Sequence, residues 1–170
     1  MANRTGQHQA ELNDDVDWVW DHPQQKAFED IKRNIAEAGV LAYFDPKLDT
    51  VLSADASSYG IGGCLMQKRE DGELGPVAFC SLRLSNTQAK YAQIEKEYLA
   101  RTWACEKFHG YLYGLQKFSL LTDHKPLVPL INSRDIADTP LRCQRLLMRM
   151  GAYGAEAAYM PGKHRRLAVT

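Results

Sequence analysis

The chain has 170 residues, 45% hydrophobic and 25% charged, with no internal repeat or low-complexity tract. It is sized for a single globular core and does not read as a fibrous chain. Lys+Arg and Asp+Glu each total 21, so net charge alone points to no polyanionic partner. No stretch reaches the apolar length of a membrane span and no signal-peptide core opens the chain, so a soluble, intracellular, cytoplasmic protein without a membrane partner is expected.

Residues 1–16 are polar and aperiodic and are expected to form a flexible tail. A helix is then predicted from about Pro23, capped by Asp21, with Phe28, Ile31 and Ile35 at helical spacing and Gly39 closing it. From Thr50 the period changes to two. TVLSADAS places Val51, Ser53 and Asp55 on one face and Leu52, Ala54 and Ala56 on the other. IGGCLMQ reads as a second strand whose glycines allow close approach of another backbone, KREDGELG as a hairpin loop, and PVAFCSL as a third strand.

A long helix is predicted from about Ala89 to His109, with Ile94, Tyr98, Ala104, Cys105 and Phe108 as its apolar stripe. QKFSLLTD reads as a fourth strand and HKPLVPLI as a short helix or turn broken by two prolines. A helix starts after Thr139-Pro140 with Leu141, Leu146 and Leu147 as apolar positions, and EAAYMPG is a last strand. Trp18, Trp20 and Trp103 are expected in a core or interface. This order predicts an α/β fold with a mixed five-stranded sheet, a three-strand antiparallel meander joined to parallel strands and flanked by helices.

Cys64, Cys80, Cys105 and Cys143 are dispersed, with no C-x-x-C pair and no zinc-type His spacing, and are expected to be reduced thiols. Arg142, Arg145 and Arg149, then Lys163, His164, Arg165 and Arg166, gather the positive charge late in the chain, as a solvated face or a polyanion-binding surface. YGIGG is no phosphate loop, because a strand and not a helix follows it.

Asp55 ends the first strand and Asp123 the fourth. Each alone reads as a turn or cap residue as readily as a ligand. On adjacent parallel strands they would meet at the carboxyl edge, where open α/β sheets collect ligands. Glu97 borders the apolar face of the long helix, where an unpaired carboxylate is costly. Glu95 and Glu106 read as solvent-side residues. Three converging carboxylates form an all-oxygen donor set that suits Mg²⁺ or Mn²⁺, and two such ions can activate a water and stabilise a leaving oxygen at a phosphodiester.

LSADASSYGIGGCLMQ, PVAFCSLRLSNTQAKYAQIEKEYLARTWACEKFHGYLYG, FSLLTDHKPL and YMPGK together resemble the ribonuclease H domain of gypsy-type LTR-retrotransposon reverse transcriptases, from about Trp18 to Lys163. The resemblance implies a ribonuclease H-like fold over residues 49–170, preceded by a linking segment at 17–48. It implies Asp55, Glu97 and Asp123 as catalytic metal ligands for two Mg²⁺ ions, with Mn²⁺ as a substitute. Ser57, Tyr91, His124, Lys125, Arg142, Arg145 and Lys163 are the expected substrate contacts, and Thr122 a positioning neighbour. The implied partners are an RNA–DNA hybrid and the polymerase region of a parent polyprotein; no Y-x-D-D polymerase motif occurs here.

The family pattern closes with an Asn and an Ala-Asp pair after PGK, leading a final helix. Arg165 stands at the Asn position and Val169 where the fourth aspartate belongs, and the last helix is expected to be truncated. Two functions follow from the resemblance: hydrolysis of the RNA strand of a hybrid, weakened by the loss of that aspartate, or a catalytically dead hybrid-binding or structural remnant.

Overall fold

The structure, a computed structural model, describes residues 19–37, 41–133 and 139–161, the side chains of 34–37 aside. The chain divides into two compact units, Met1–Gly39 and Val40–Thr170. The first holds helix α1 (His22–Glu37), opened at Asp21, whose backbone N–H donates to Gln24 Oε1 (3.1 Å) and whose carbonyl accepts from Gln25 N–H (3.0 Å). Phe28 and Ile31 lie on one side of it but stay 46% and 52% exposed, so this stripe is not a core. Trp20 is no core residue either: at 46% exposed it stacks edge-on against Phe28 and donates Nε1–H to Gln25 Oε1. Gly39 and Trp18 lie outside the described residues.

In the second unit the period-two alternation becomes β1 (Thr50–Ala56), with Leu52 and Ala54 buried and Asp55 turned outward. It pairs antiparallel with β2 (Gly60–Lys68), which pairs antiparallel with β3 (Leu74–Arg83). Gly72, at φ 84°, supplies the left-handed turn between β2 and β3. Gly63 lies close to side chains, where a Cβ would sit 3.0 Å from the Cys80 Sγ on β3 and 3.2 Å from the Ala104 Cβ, and a Cβ at Gly60 would stand 3.0 Å from the Leu82 carbonyl oxygen, a close approach of the neighbouring backbone.

The single long helix predicted over 89–109 is three pieces: α2 (Asn86–Ala89), α3 (Gln93–Lys107) and α4 (His109–Leu112). A capping box opens α2: Ser85 Oγ accepts from Gln88 N–H while Gln88 Oε1 accepts from Ser85 N–H. Helix α3 starts afresh at Ala92, whose N–H donates to Glu95 Oε2 (3.1 Å). Strand β4 (Phe118–Thr122) lies parallel to β1, and β5 (Ala155–Tyr159) parallel to β4, giving the sheet order β3-β2-β1-β4-β5. Between them run α5 (Leu127–Ser133) and α6 (Leu141–Met150). The prolines of HKPLVPLI do not break α5: Pro126 precedes it and Pro129 falls in its first turn, where a missing N–H is tolerated.

Helix α3 packs on β1, β2 and α6, and the main core lies there: Leu52, Leu65, Tyr98, Ala104, Cys105, Leu120 and Leu146 are among its buried members. The apolar face of α6 is formed by Cys143, Leu146, Leu147 and Met150, whereas Leu141 is 61% exposed, contrary to the expectation for it. Cys64, Met66 and Leu121 form a second small cluster with Val51 and Met160. All four cysteines are free thiols, and burial pushes those of Cys64 and Cys105 up to about 12. Residues ahead of β1 are tied to this unit: Ala42 N–H donates to Pro76 O, and the Gln67 amide joins both backbone groups of Asp45. Among the described residues no helix is long and apolar enough to cross a membrane.

Candidate metal centre

Because Ser53 is in register with Leu121 across the parallel β1–β4 pair, two further residues on each strand bring Asp55 and Asp123 to the same level. Both are exposed at the carboxyl edge of the sheet. Helix α3 begins beside this edge and carries Glu97 in its second turn, so its buried carboxylate arrives from the helix side. One carboxylate oxygen from each of Asp55, Glu97 and Asp123 lies within 4.8 Å of the others. Two loop-facing strand ends and one helix thus supply an oxygen-only donor set, without sulfur or imidazole. That is the chemistry of a hard divalent cation such as Mg²⁺ or Mn²⁺.

Glu97 is held from both sides. Gln93 Nε2 donates to Glu97 Oε1 (2.9 Å) and to the carbonyl of Ala56 at the end of β1 (3.2 Å). Arg101, fully buried one turn further along α3, donates through Nη1 to Glu97 Oε2 (2.5 Å) and to the Glu97 carbonyl (2.8 Å). Its Nη2 donates to Thr122 Oγ1 (2.7 Å), which also accepts from His124 N–H (3.1 Å). The helix carboxylate is thereby fastened to β1 through Gln93 and to β4 through Arg101 and Thr122. Neither Gln93 nor Arg101 is among the site residues expected from the sequence. The signal was the i,i+4 spacing on either side of Glu97, which places both side chains against it.

Beside the trio, Ser57 sits in the β1–β2 turn, where its Oγ accepts from the N–H groups of Tyr59 (3.2 Å) and Gly60 (3.0 Å). His124 and Lys125 are exposed just past Asp123. Arg142 lies 4.0 Å above the Tyr91 ring and pairs with Glu95 at 2.7 Å, so it already has an acidic partner. Arg145 is exposed on α6, and Lys163 and Val169 fall outside the described residues. Glu95 and Glu106 are not plain solvent-side residues. Glu95 Oε2 accepts from Ala92 N–H at the start of α3, and Glu106 forms a two-pronged ion pair with Arg149.

Residues 20–120 match the family described as the RNase H-like domain found in reverse transcriptase. The chain is 31% identical over 158 residues to the Transposon Tf2-3 polyprotein of Schizosaccharomyces pombe (strain 972 / ATCC 24843), covering 92% of this chain and 12% of that polyprotein. The Tf2-4 polyprotein of the same organism matches to the same extent. In fold, the chain is similar to a foamy viral protease-reverse transcriptase solved with double-stranded DNA, with TM-score 0.64, 19% identity, and 84% of this chain and 26% of that one covered. It is also similar to LC11-RNase H1 solved with an RNA/DNA hybrid, with TM-score 0.51, 12% identity, and 69% of this chain and 89% of that one covered. The sheet order, the acidic edge and the family match over 20–120 agree, and the chain belongs to the RNase H-like domain family of reverse transcriptases.

Proposed function

We propose that this chain hydrolyses the RNA strand of RNA–DNA hybrids by two-metal phosphodiester hydrolysis, as one module of a gypsy-type retrotransposon polyprotein. The convergence of Asp55, Glu97 and Asp123 at one sheet edge carries the proposal. The three carboxylates would hold Mg²⁺, or Mn²⁺ in its place. Such ions supply Lewis-acid activation of a water and charge stabilisation at the leaving oxygen. Asp55 and Asp123 present ligands from rigid strand ends, and Gln93 and Arg101 fix the angle at which Glu97 meets them.

Ser57, Tyr91, His124, Lys125, Arg145 and Lys163 are the proposed contacts to the hybrid. Arg142 belongs with them as the residue that orients the Tyr91 ring. Cationic contacts to phosphates make affinity fall with salt, and reading of 2′-hydroxyls across the minor groove makes it insensitive to sequence. The polymerase region of a parent polyprotein is the proposed neighbour.

A second reading rests on Val169, which stands where the resemblance calls for a fourth aspartate. On that reading the module binds hybrid without cutting it, or serves only to pack against its neighbour. The deciding experiment is cleavage of a hybrid carrying separate end labels on RNA and DNA, in Mg²⁺ or Mn²⁺, with Asp123→Asn as control. Metal-dependent loss of the RNA label alone, absent in the control, supports hydrolysis. Salt-sensitive binding without cleavage would support the second reading, and neither binding nor cleavage a packing role.

A further inference from the structure

We propose that Arg101 is a cation built into the acidic centre: it holds Glu97 in place before a divalent ion arrives, and it makes that ion bind more weakly. The inference rests on the reading of Asp55, Glu97 and Asp123 as metal ligands. Arg101 is fully buried, and burying a guanidinium is expensive unless the charge is answered by another. Glu97 answers it, at 2.5 Å, with 6% of its own surface exposed. The remaining partners, the Glu97 carbonyl and Thr122 Oγ1, are neutral, and Nε has no hydrogen-bond partner among the described residues. The guanidinium is therefore fixed by its attraction to the same carboxylate that a metal ion would use.

Two consequences follow with opposite signs. Without metal, Arg101 supplies the counter-charge that makes a buried Glu97 tolerable and ties α3 to the end of β4. With metal, a positive charge on the inner side of Glu97 repels a dication on its outer side and draws off part of the carboxylate's charge. Arg101 and the divalent ion are thus alternative counter-charges for one group. Arg101 is a positioning residue in this scheme: it acts on the centre through Glu97 and Thr122.

The test is Mn²⁺ binding by the full chain, followed by electron paramagnetic resonance of the free ion, for the unmodified protein, Asp123→Asn, Arg101→Met and Arg101→Lys. Thermal melting of each is measured with chelator and with Mn²⁺. The expected result is that Arg101→Met binds Mn²⁺ at least about tenfold more tightly than the unmodified protein. Arg101→Lys, which keeps the charge, stays within about threefold. Arg101→Met should also melt well below the unmodified protein in chelator and recover most of the difference in Mn²⁺. If the unmodified protein shows no Asp123-dependent Mn²⁺ binding, the metal reading itself fails. If it binds but Arg101→Met binds equally or more weakly, the inference is overturned while the metal reading stands. Failure of Arg101→Met to fold even in saturating Mn²⁺ also overturns it, since the ion would then not replace the guanidinium.

Discussion

Tyr98→Phe should stabilise this protein, although it removes a polar atom from one of its largest fully buried side chains. Tyr98 is 1% exposed in the core face of α3, and its hydroxyl has no hydrogen-bond partner among the described residues. Leaving a buried hydroxyl unpaired costs roughly 1–3 kcal/mol, and the shape of the ring is kept in phenylalanine, so a gain of about 1 kcal/mol is expected at pH 7. In a chain of this size that raises the melting temperature by about 2–4 °C. Burial also pushes the Tyr98 hydroxyl from its ordinary 10.0 up to about 12, with the nearby Cys143 raising it further and Arg101 opposing. Its neutral form is therefore favoured by folding. That contribution is complete below pH 10 and lost as pH rises toward 12. Urea unfolding followed by circular dichroism at pH 7 and pH 11 should show the variant's advantage growing with pH. A variant that is less stable than the parent by more than about 1 kcal/mol at pH 7 would refute the reasoning, because the hydroxyl would then be holding a partner.

Gly154→Ala should destabilise the protein by about 1–3 kcal/mol or more, since its Cβ would stand 2.4 Å from the Gln116 carbonyl where β5 enters the sheet; chemical denaturation measures it. Leu120→Ala, at a fully buried position in β4, should cost about 2–5 kcal/mol in the same assay. Removing the exposed Arg149–Glu106 pair by Arg149→Ala should cost no more than about 1 kcal/mol, and a larger loss would show that the pair organises α6 on α3. The Cys105 thiol, pushed up to about 12 by burial, should react with a disulfide reagent at pH 8 far more slowly in native than in unfolded protein.

All five strands are legible in the sequence because each combines apolar alternation or a short apolar run with turn residues at its ends. The Asp-Gly of KREDGELG sets the β2–β3 hairpin in the same way. The parallel pairing of β1 with β4 follows from the long helical segment between them, and with it the meeting of Asp55 and Asp123. Helix breaks are harder to read. NTQAKYAQ is helix-compatible throughout, and the restart of the helix shows only in the bond from Ala92 N–H back to Glu95 Oε2. Prolines mislead in the opposite direction at α5, where both sit where a helix tolerates them.

Most of the site is visible as acidic residues at strand ends, but its internal bracing is not. Arg101 in EYLAR looks like an exposed i,i+4 partner for Glu97, because spacing gives the pairing without the burial. It is buried against the end of β4, where Nη2 meets Thr122 Oγ1, a contact that separation in sequence conceals. Separation in sequence also hides the pairing of Arg142 with Glu95 and its place over the Tyr91 ring.

The most direct measurement is a crystal structure of the full chain grown in Mn²⁺, with anomalous scattering used to place the ion. Anomalous density is expected within coordination distance of Asp55, Glu97 and Asp123 together, with Gln93 and Arg101 still on Glu97. Ordered protein without density there, or density that engages other residues and leaves this trio apart, would contradict the metal reading.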